Sequence, residues 1–484
     1  MKHKKLMSVL ILAVLAMLVP NAAFASGEAL GDQLPLWSMI PFAGMLLSIA
    51  IFPIVKPHWW EKNMLWVALF WSFVFLVPFF FVYGADETIY QLIHTVVLDY
   101  VPFLLLLFAL YAVAGGIVIK GSMVGTPKLN TIILAIGTVL ASVIGTTGAA
   151  MVLIRPLIRA NEFRKRKMHT IIFFIFLVCN IGGALTPVGD PPLFMGFLRG
   201  IPFFWTTIHL LPLYVFTSVV LLVLYYFVES KNYKKDLAEG CVQPEHTGEK
   251  IKIEGLHNLL YIVLILFAVV MSGTLAQSPM FQNPDGSVKG LHLYSLHGHD
   301  LVATWPNIIK DVLLLVAAFL SMKTTKKEIR EFNNFNWAAI EEVAKLFIGI
   351  FITMIPALAI LGARGASLGL HTEWQFFWST GMLSGFLDNT PTYLVFLTTA
   401  AAMGAAEGLA TTIGIVEAPI LIAVSAGAVF MGALSYIGNA PNFMVRSIAE
   451  ESNIKMPSFF GYMVWSNAIL IPVFIIDTLI FFLG

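Results

Sequence analysis

The segment Gly183-Ala184-Leu185-Thr186-Pro187-Val188-Gly189-Asp190-Pro191-Pro192-Leu193-Phe194-Met195 returns without a gap as Gly432-Ala433-Leu434-Ser435-Tyr436-Ile437-Gly438-Asn439-Ala440-Pro441-Asn442-Phe443-Met444. Both glycines, Ala-Leu, one proline and Phe-Met are identical, and Thr/Ser, Val/Ile and Asp/Asn are similar. Chance likeness between apolar stretches does not align glycine, proline and polar positions together, so the pair marks a duplicated unit. Each copy also interrupts an apolar stretch with residues that no continuous helix carries. Proline removes a backbone donor and pushes its predecessor out of the helical region. Residues 170–200 and 417–446 are therefore predicted to be broken helices.

The surroundings of these breaks are those of a membrane. Of 484 residues, 58% are apolar and 12% charged, which calls for lipid as the main solvent. A net charge of +1 gives no basic field for nucleic acid. Cys179 and Cys241 are too few and too separated for a disulfide framework or a cysteine metal cluster. Lys2, Lys4 and Lys5, the apolar stretch 6–19 and small residues before Ser26 make 1–25 a signal peptide or an uncleaved N-terminal helix.

Apolar stretches of spanning length, oriented by Lys and Arg in short loops, set the predicted topology. The first repeat, 26–228, crosses at 35–56, 63–84, 97–119, 170–200 and 207–228. A cytoplasmic linker, 229–255, leads to the second repeat, 256–484, with crossings at 257–275, 306–322, 345–363, 417–446 and 458–482. The stretch 129–160 begins after Lys128 and ends at Arg159, Arg164, Lys165, Arg166 and Lys167, so both ends face the cytoplasm. Gly145-Thr146-Thr147-Gly148 gives it a place to reverse. It is read as a re-entrant hairpin, mirrored by 374–403, which is interrupted at Asp388-Asn389-Thr390-Pro391. An odd number of crossings per half turns the second half over. The expected fold is an all-α polytopic membrane protein of two inverted-topology repeats, each with five spanning helices, one of them broken, plus a re-entrant hairpin. It is expected to be multi-pass in a bacterial-type inner (plasma) membrane, with a periplasmic C-terminus. Amphipathic stretches at 87–94 and 336–345 are expected at the interface.

Unwound backbone inside a bilayer persists only where protein, water or an ion satisfies it. The four interruptions are thus the expected site, with Thr146, Thr147, Thr186, Asn389, Thr390, Ser435 and Asn439 as oxygen ligands. Asp190 and Asp388 stand out, because an acid deep in a membrane is costly and marks function. Thr390-Pro391 and Asp190-Pro191 also read as helix N-caps followed by proline. Desolvation and a bound cation pull a carboxyl in opposite directions, so such an acid can exchange a proton for a cation. Arg155 and Arg446 are candidates to pair with these acids or to hold an anion, when they do not snorkel to the surface. His292, His297 and His299 beside Asp300 lack regular ligand spacing, and no metal site is assigned.

At these residues the chain resembles the ion transporter superfamily, in particular the NhaD-type sodium/proton antiporters and the CitMHS-type citrate carriers. The resemblance covers about 35–484. In the citrate and dicarboxylate members the hairpin tips look like Ser-Asn-Thr and the unwound segments like Thr-Pro-x-Gly-Thr-Pro-Pro-Asn. Asn389-Thr390, Thr186-Pro187-Val188-Gly189 and Pro191-Pro192 keep that pattern. Asp388 replaces the tip serine, Asp190 replaces the loop threonine, and the first tip reads Gly145-Thr146-Thr147. The resemblance implies secondary active, ion-coupled transport and a homodimer, with a small ion or carboxylate and the lipid bilayer as partners. The added negative charge favours sodium/proton antiport by alternating access; cation-coupled citrate or dicarboxylate transport is the alternative, and arsenite efflux a third reading. No cofactor is expected beyond transported Na+ and H+, and no enzymatic activity.

Overall fold

The computed structural model describes residues 30–121, 123–244 and 251–483. The proposed signal segment 1–25 lies outside them. Helix α1 (Ile40–Val55) packs on α2 (Pro57–Ile93), which passes through the π-helical turn His94–Tyr100 into α3 (Val101–Ala114). On α2 Trp66, Phe73 and Phe81 are 69%, 60% and 78% exposed, a face that only lipid solvates well. The apolar run Pro57–Ala114 has 58 residues. That is ~87 Å of helix at ~1.5 Å per residue, whereas a bilayer core is ~30 Å thick. The chain bends at Gly84, with φ 85° and ψ 174°, a backbone open to glycine alone. The run therefore holds the expected span 63–84 and most of 97–119, whose last residues, 115–119, lie beyond the helix. The amphipathic stretch 87–94 follows that bend, and most of it is the end of α2.

A hairpin comes next, α4 (Pro127–Ile144) and α5 (Thr146–Ala160), packed side by side. Thr126 caps α4 through Leu129 N, proline opens it, and the chain reverses at Gly145 with φ 79° and ψ 152°. The first broken helix is α6 (Met168–Leu177), a 3-10 turn Ile181–Leu185, and α7 (Pro191–Leu198). The following helix, α8 (Trp205–Ala238), continues into the stretch expected as linker.

The second half comprises α9 (Asn258–Ala276), α10 (Trp305–Thr324) and α11 (Ala338–Arg364), whose first turns carry much of the amphipathic stretch 336–345. The hairpin α12 (Glu373–Phe386) and α13 (Asn389–Ala401) follows. The second broken helix is α14 (Ala418–Met431), a 3-10 turn Gly432–Leu434, and α15 (Ala440–Glu451), before α16 (Phe459–Phe481). Nine helical runs among the described residues are long and apolar enough to cross a membrane. The second broken helix escapes that length criterion because of its break.

Three antiparallel ribbons were not expected: β1 (Val118–Lys120) with β2 (Lys252–Glu254), β3 (Gly290–Leu296) with β4 (His299–Thr304), and β5 (Leu409–Thr411) with β6 (Gly414–Val416). The first returns the linker to the first half, tied by Lys120 Nζ to Glu254 at 2.7 Å. The loop histidines fall on the second, where His292 lies 3.5 Å from Asp300. The core centres on α6, buried from His169 through Leu177 and packed against α4, α8, α15 and α16. Helices of both halves thus meet around it.

Candidate functional site

The two breaks have the same backbone. Thr186 (φ −141°, ψ 157°) and Ser435 (φ −138°, ψ 170°) are extended, as are Asp190 (φ −142°, ψ 140°) and Asn439 (φ −149°, ψ 139°), and proline stands in the first turn of α7 and of α15. Glycine is required where each loop closes on itself. A Cβ on Gly189 would sit 2.3 Å from Gly183 O, and one on Gly438 would sit 2.4 Å from Gly432 O. Each hairpin also supplies a serine to a broken helix: Ser142 Oγ donates to Gly182 O at 2.5 Å, and Ser384 Oγ to Ala428 O at 2.6 Å.

Asp190, 1% exposed, is where these parts meet. Its Oδ1 accepts from Thr146 Oγ1 at 3.2 Å and Asn439 Nδ2 at 3.1 Å, and its Oδ2 accepts from Asn389 Nδ2 at 2.5 Å. Thr146 N donates to Gly189 O at 2.9 Å, and Asn439 Nδ2 also donates to Cys179 O at 2.9 Å. Both hairpin tips and the second break therefore converge on the carboxylate of the first. Thr146 opens α5, Asn389 opens α13, and Asp190 and Asn439 stand at the N-cap positions of α7 and α15, so four helices begin here. Among the described residues, no basic side chain bonds to Asp190. Asn389 Oδ1 is buried with no hydrogen-bond partner among the described residues. An acceptor left beside a carboxylate is suited to a cation, and Asp190, Asn389 and Thr146 together offer hard oxygen donors for one.

The remaining candidates lie around this centre. Asp388 caps α13 by accepting from Thr390 N at 2.9 Å, and it lies within electrostatic range of Asp190. Its repeat counterpart is Gly145, whose positive φ disfavours any acid. Thr390 is buried and half-buried Thr147 sits in the first turn of α5. Thr186 Oγ1 donates to Ser142 O, and Ser435 Oγ accepts from Ile437 N at 3.2 Å, so these two hydroxyls brace the breaks rather than touch Asp190.

The expected pairing of Arg155 or Arg446 with the acids is not formed. Arg446 turns along its own helix to Glu450 at 3.0 Å and lies 4.6 Å over the Tyr436 ring. Arg155 stands ~2.5 turns beyond Thr146 along α5 and lines a crevice with Arg159, Phe332 and Asn333.

The sequence reading missed several polar groups. Asn180 Nδ2 donates to Asn442 Oδ1 at 2.8 Å, and Asn442 Nδ2 donates to Gly432 O and Ser435 O at 2.9 and 3.0 Å, tying one break to the other. Lys310, fully buried in α10, lies 3.4 Å from Asp311 and 5.3 Å over the Phe194 ring of α7. Asp477, fully buried in α16, accepts from Thr217 Oγ1 at 2.9 Å. The signal for Lys310 and Asp477 was present: an ionisable residue inside an apolar span.

Lipid-facing helices surrounding broken helices, with buried polar groups gathered at the breaks, define a multi-pass membrane transport protein. Residues 31–482 match the model of the CitMHS_2 family, described as "Putative citrate transport", and the chain belongs to that family. This match falls on the citrate side of the resemblance drawn from the sequence. No curated protein matches the chain.

Proposed function

We propose that the protein is a secondary active carrier that couples uptake of a carboxylate cargo, citrate by its family, to a cation or proton bound at Asp190. The observation that carries this reading is the convergence of four helix N-termini on one buried carboxylate with no basic partner. Each N-terminus contributes ~+0.5 of an elementary charge. Four of them roughly offset the two carboxylates of Asp190 and Asp388, so the unloaded site is near neutral. A cation or proton on Asp190 then leaves it net positive, which is the state that accepts an anion. Cargo binding thereby depends on the coupling ion, and the dependence is reciprocal.

In this account the two halves are inverted repeats in a bacterial-type inner membrane, the hairpins are re-entrant, and the C-terminus is periplasmic. The carrier works as a homodimer by alternating access. Sodium/proton antiport is the second reading, favoured by the absence of an arginine from the Asp190 contacts. One assay separates the two. Purified protein in vesicles is given labelled citrate under imposed sodium or proton gradients, while internal pH is followed. Gradient-driven citrate accumulation is expected; proton movement on adding sodium, with no citrate uptake, would put antiport first.

A further inference from the structure

We propose a second carboxylate-binding site at the far end of α7 from Asp190, built on Arg199. It rests on the reading above that the cargo carries carboxylates. A cavity of about 430 Å³ opens there, lined by the π-helical turn that holds His94 and Asp99, by α11 and by α13. That volume falls within the ~300–1,000 Å³ of small-molecule sites. Arg199, 6% exposed, ends α7 and directs both terminal nitrogens at Asp99, Nη1 to Oδ1 at 3.1 Å and Nη2 to Oδ2 at 2.9 Å. By the sequence topology this cavity faces outside, where 97–119 begins and 170–200 ends.

A buried ion pair is weak evidence for stability, because desolvation offsets much of the attraction. The fork geometry is specific all the same: a guanidinium held for two parallel oxygens is a carboxylate receptor. Asp99 fills it as a carboxylate of the protein's own. A cargo carboxylate offers the same two oxygens and replaces Asp99 without leaving an Arg199 donor unsatisfied. His94 Nδ1 stands 3.9 Å from Asp99 Oδ2, with its side chain 46% exposed, as the displaced acid's alternative partner. Phe351 and Met354 wall the cavity and reduce competition from water. The helix that ends at Arg199 begins at Asp190, so a ligand at one end and an ion at the other act on a single rigid piece.

The test is the KM and turnover for citrate in vesicles holding the full-length protein, for wild type, Arg199→Gln and Asp99→Asn. Losing a charge-assisted, two-pronged contact is expected to raise KM by about tenfold or more. Removing the competing charge in Asp99→Asn is expected to lower KM. A pair that only braces the fold would change turnover or yield and leave KM alone, and wild-type KM in both variants overturns the site while citrate transport stands. If wild type takes up no citrate, the cargo reading falls and this site with it. Should Arg199→Gln fail to insert, Asp99→Asn decides alone, since its amide oxygen still accepts from Arg199: a lowered KM supports the site and an unchanged one overturns it.

Discussion

Asp190 and the glycine before it make opposite demands on the same loop. The carboxylate is held by donors from three other interruptions, whereas Gly189 is held by its lack of a side chain. Gly189→Ala forces a Cβ to 2.3 Å from Gly183 O, and overpacking of this kind costs about 1–3 kcal/mol. The expected result is a lower thermal midpoint in detergent, with Gly438→Ala behaving alike; unchanged midpoints would show that the loops relax freely. Asn389→Ala removes both the donor to Asp190 and the orphaned oxygen, so ion affinity is expected to fall about tenfold or more, read as the sodium or proton concentration needed for half-maximal transport. Asp190, Asn389, Asn439 and Thr146 were legible in the sequence because polar residues at helix interruptions inside apolar spans have few other uses. In the sequence the cap before Pro391 reads as Thr390; it is Asp388, whose carboxylate accepts from Thr390 N. The directions of Arg155 and Arg446 were not legible, because helix phase relative to a distant loop is a tertiary property.

Among the elements, α8 runs well past its expected end, and buried charge accounts for the extension. Arg164 bonds Glu229 and Asp236, each at 2.6 Å; His169 Nε2 lies 2.5 Å from Glu229, and Asn130 Nδ2 reaches Glu229 at 2.9 Å. Arg164, His169, Glu229, Asp236 and Asn130 are all buried, so the polar end of α8 clamps α4, the end of the first hairpin and the start of α6. In sequence Glu229 and Asp236 read as part of a cytoplasmic linker, since nothing local distinguishes a charge that faces water from one that faces a partner. Glu229→Ala leaves Arg164 short of a partner in a dry site, a change that typically costs about 3–5 kcal/mol. Reduced yield of monodisperse protein and a lower melting temperature are expected, with partial recovery in Glu229→Gln, which keeps an acceptor for Arg164. The spans and interruptions were the legible part, because apolar length and proline are local signals. The β1–β2 ribbon was not, since β1 pairs with a strand more than a hundred residues away.

For the whole molecule, the proposed inverted arrangement makes a geometric prediction. Lys165, Gly286 and Lys326 are exposed, so single cysteines there, with Cys179 and Cys241 replaced, are open to labelling. Positions 165 and 326 are expected to react only from the cytoplasm and 286 only from outside. Labelling of 165 from outside would remove the re-entrant hairpin and the inversion together. The duplicated breaks were what suggested this inversion in the sequence. The meeting of all four interruptions at one carboxylate was an expectation that only three-dimensional packing could supply. The central claim is that Asp190 couples ion to cargo, and the most direct test is citrate transport by Asp190→Asn in vesicles. The neutral amide mimics a permanently loaded site, and Asn439 already occupies the matching backbone position. The variant is therefore expected to exchange citrate down its own gradient without regard to sodium or pH, and to lose accumulation driven by an ion gradient. Wild-type, ion-driven accumulation in Asp190→Asn would contradict the account.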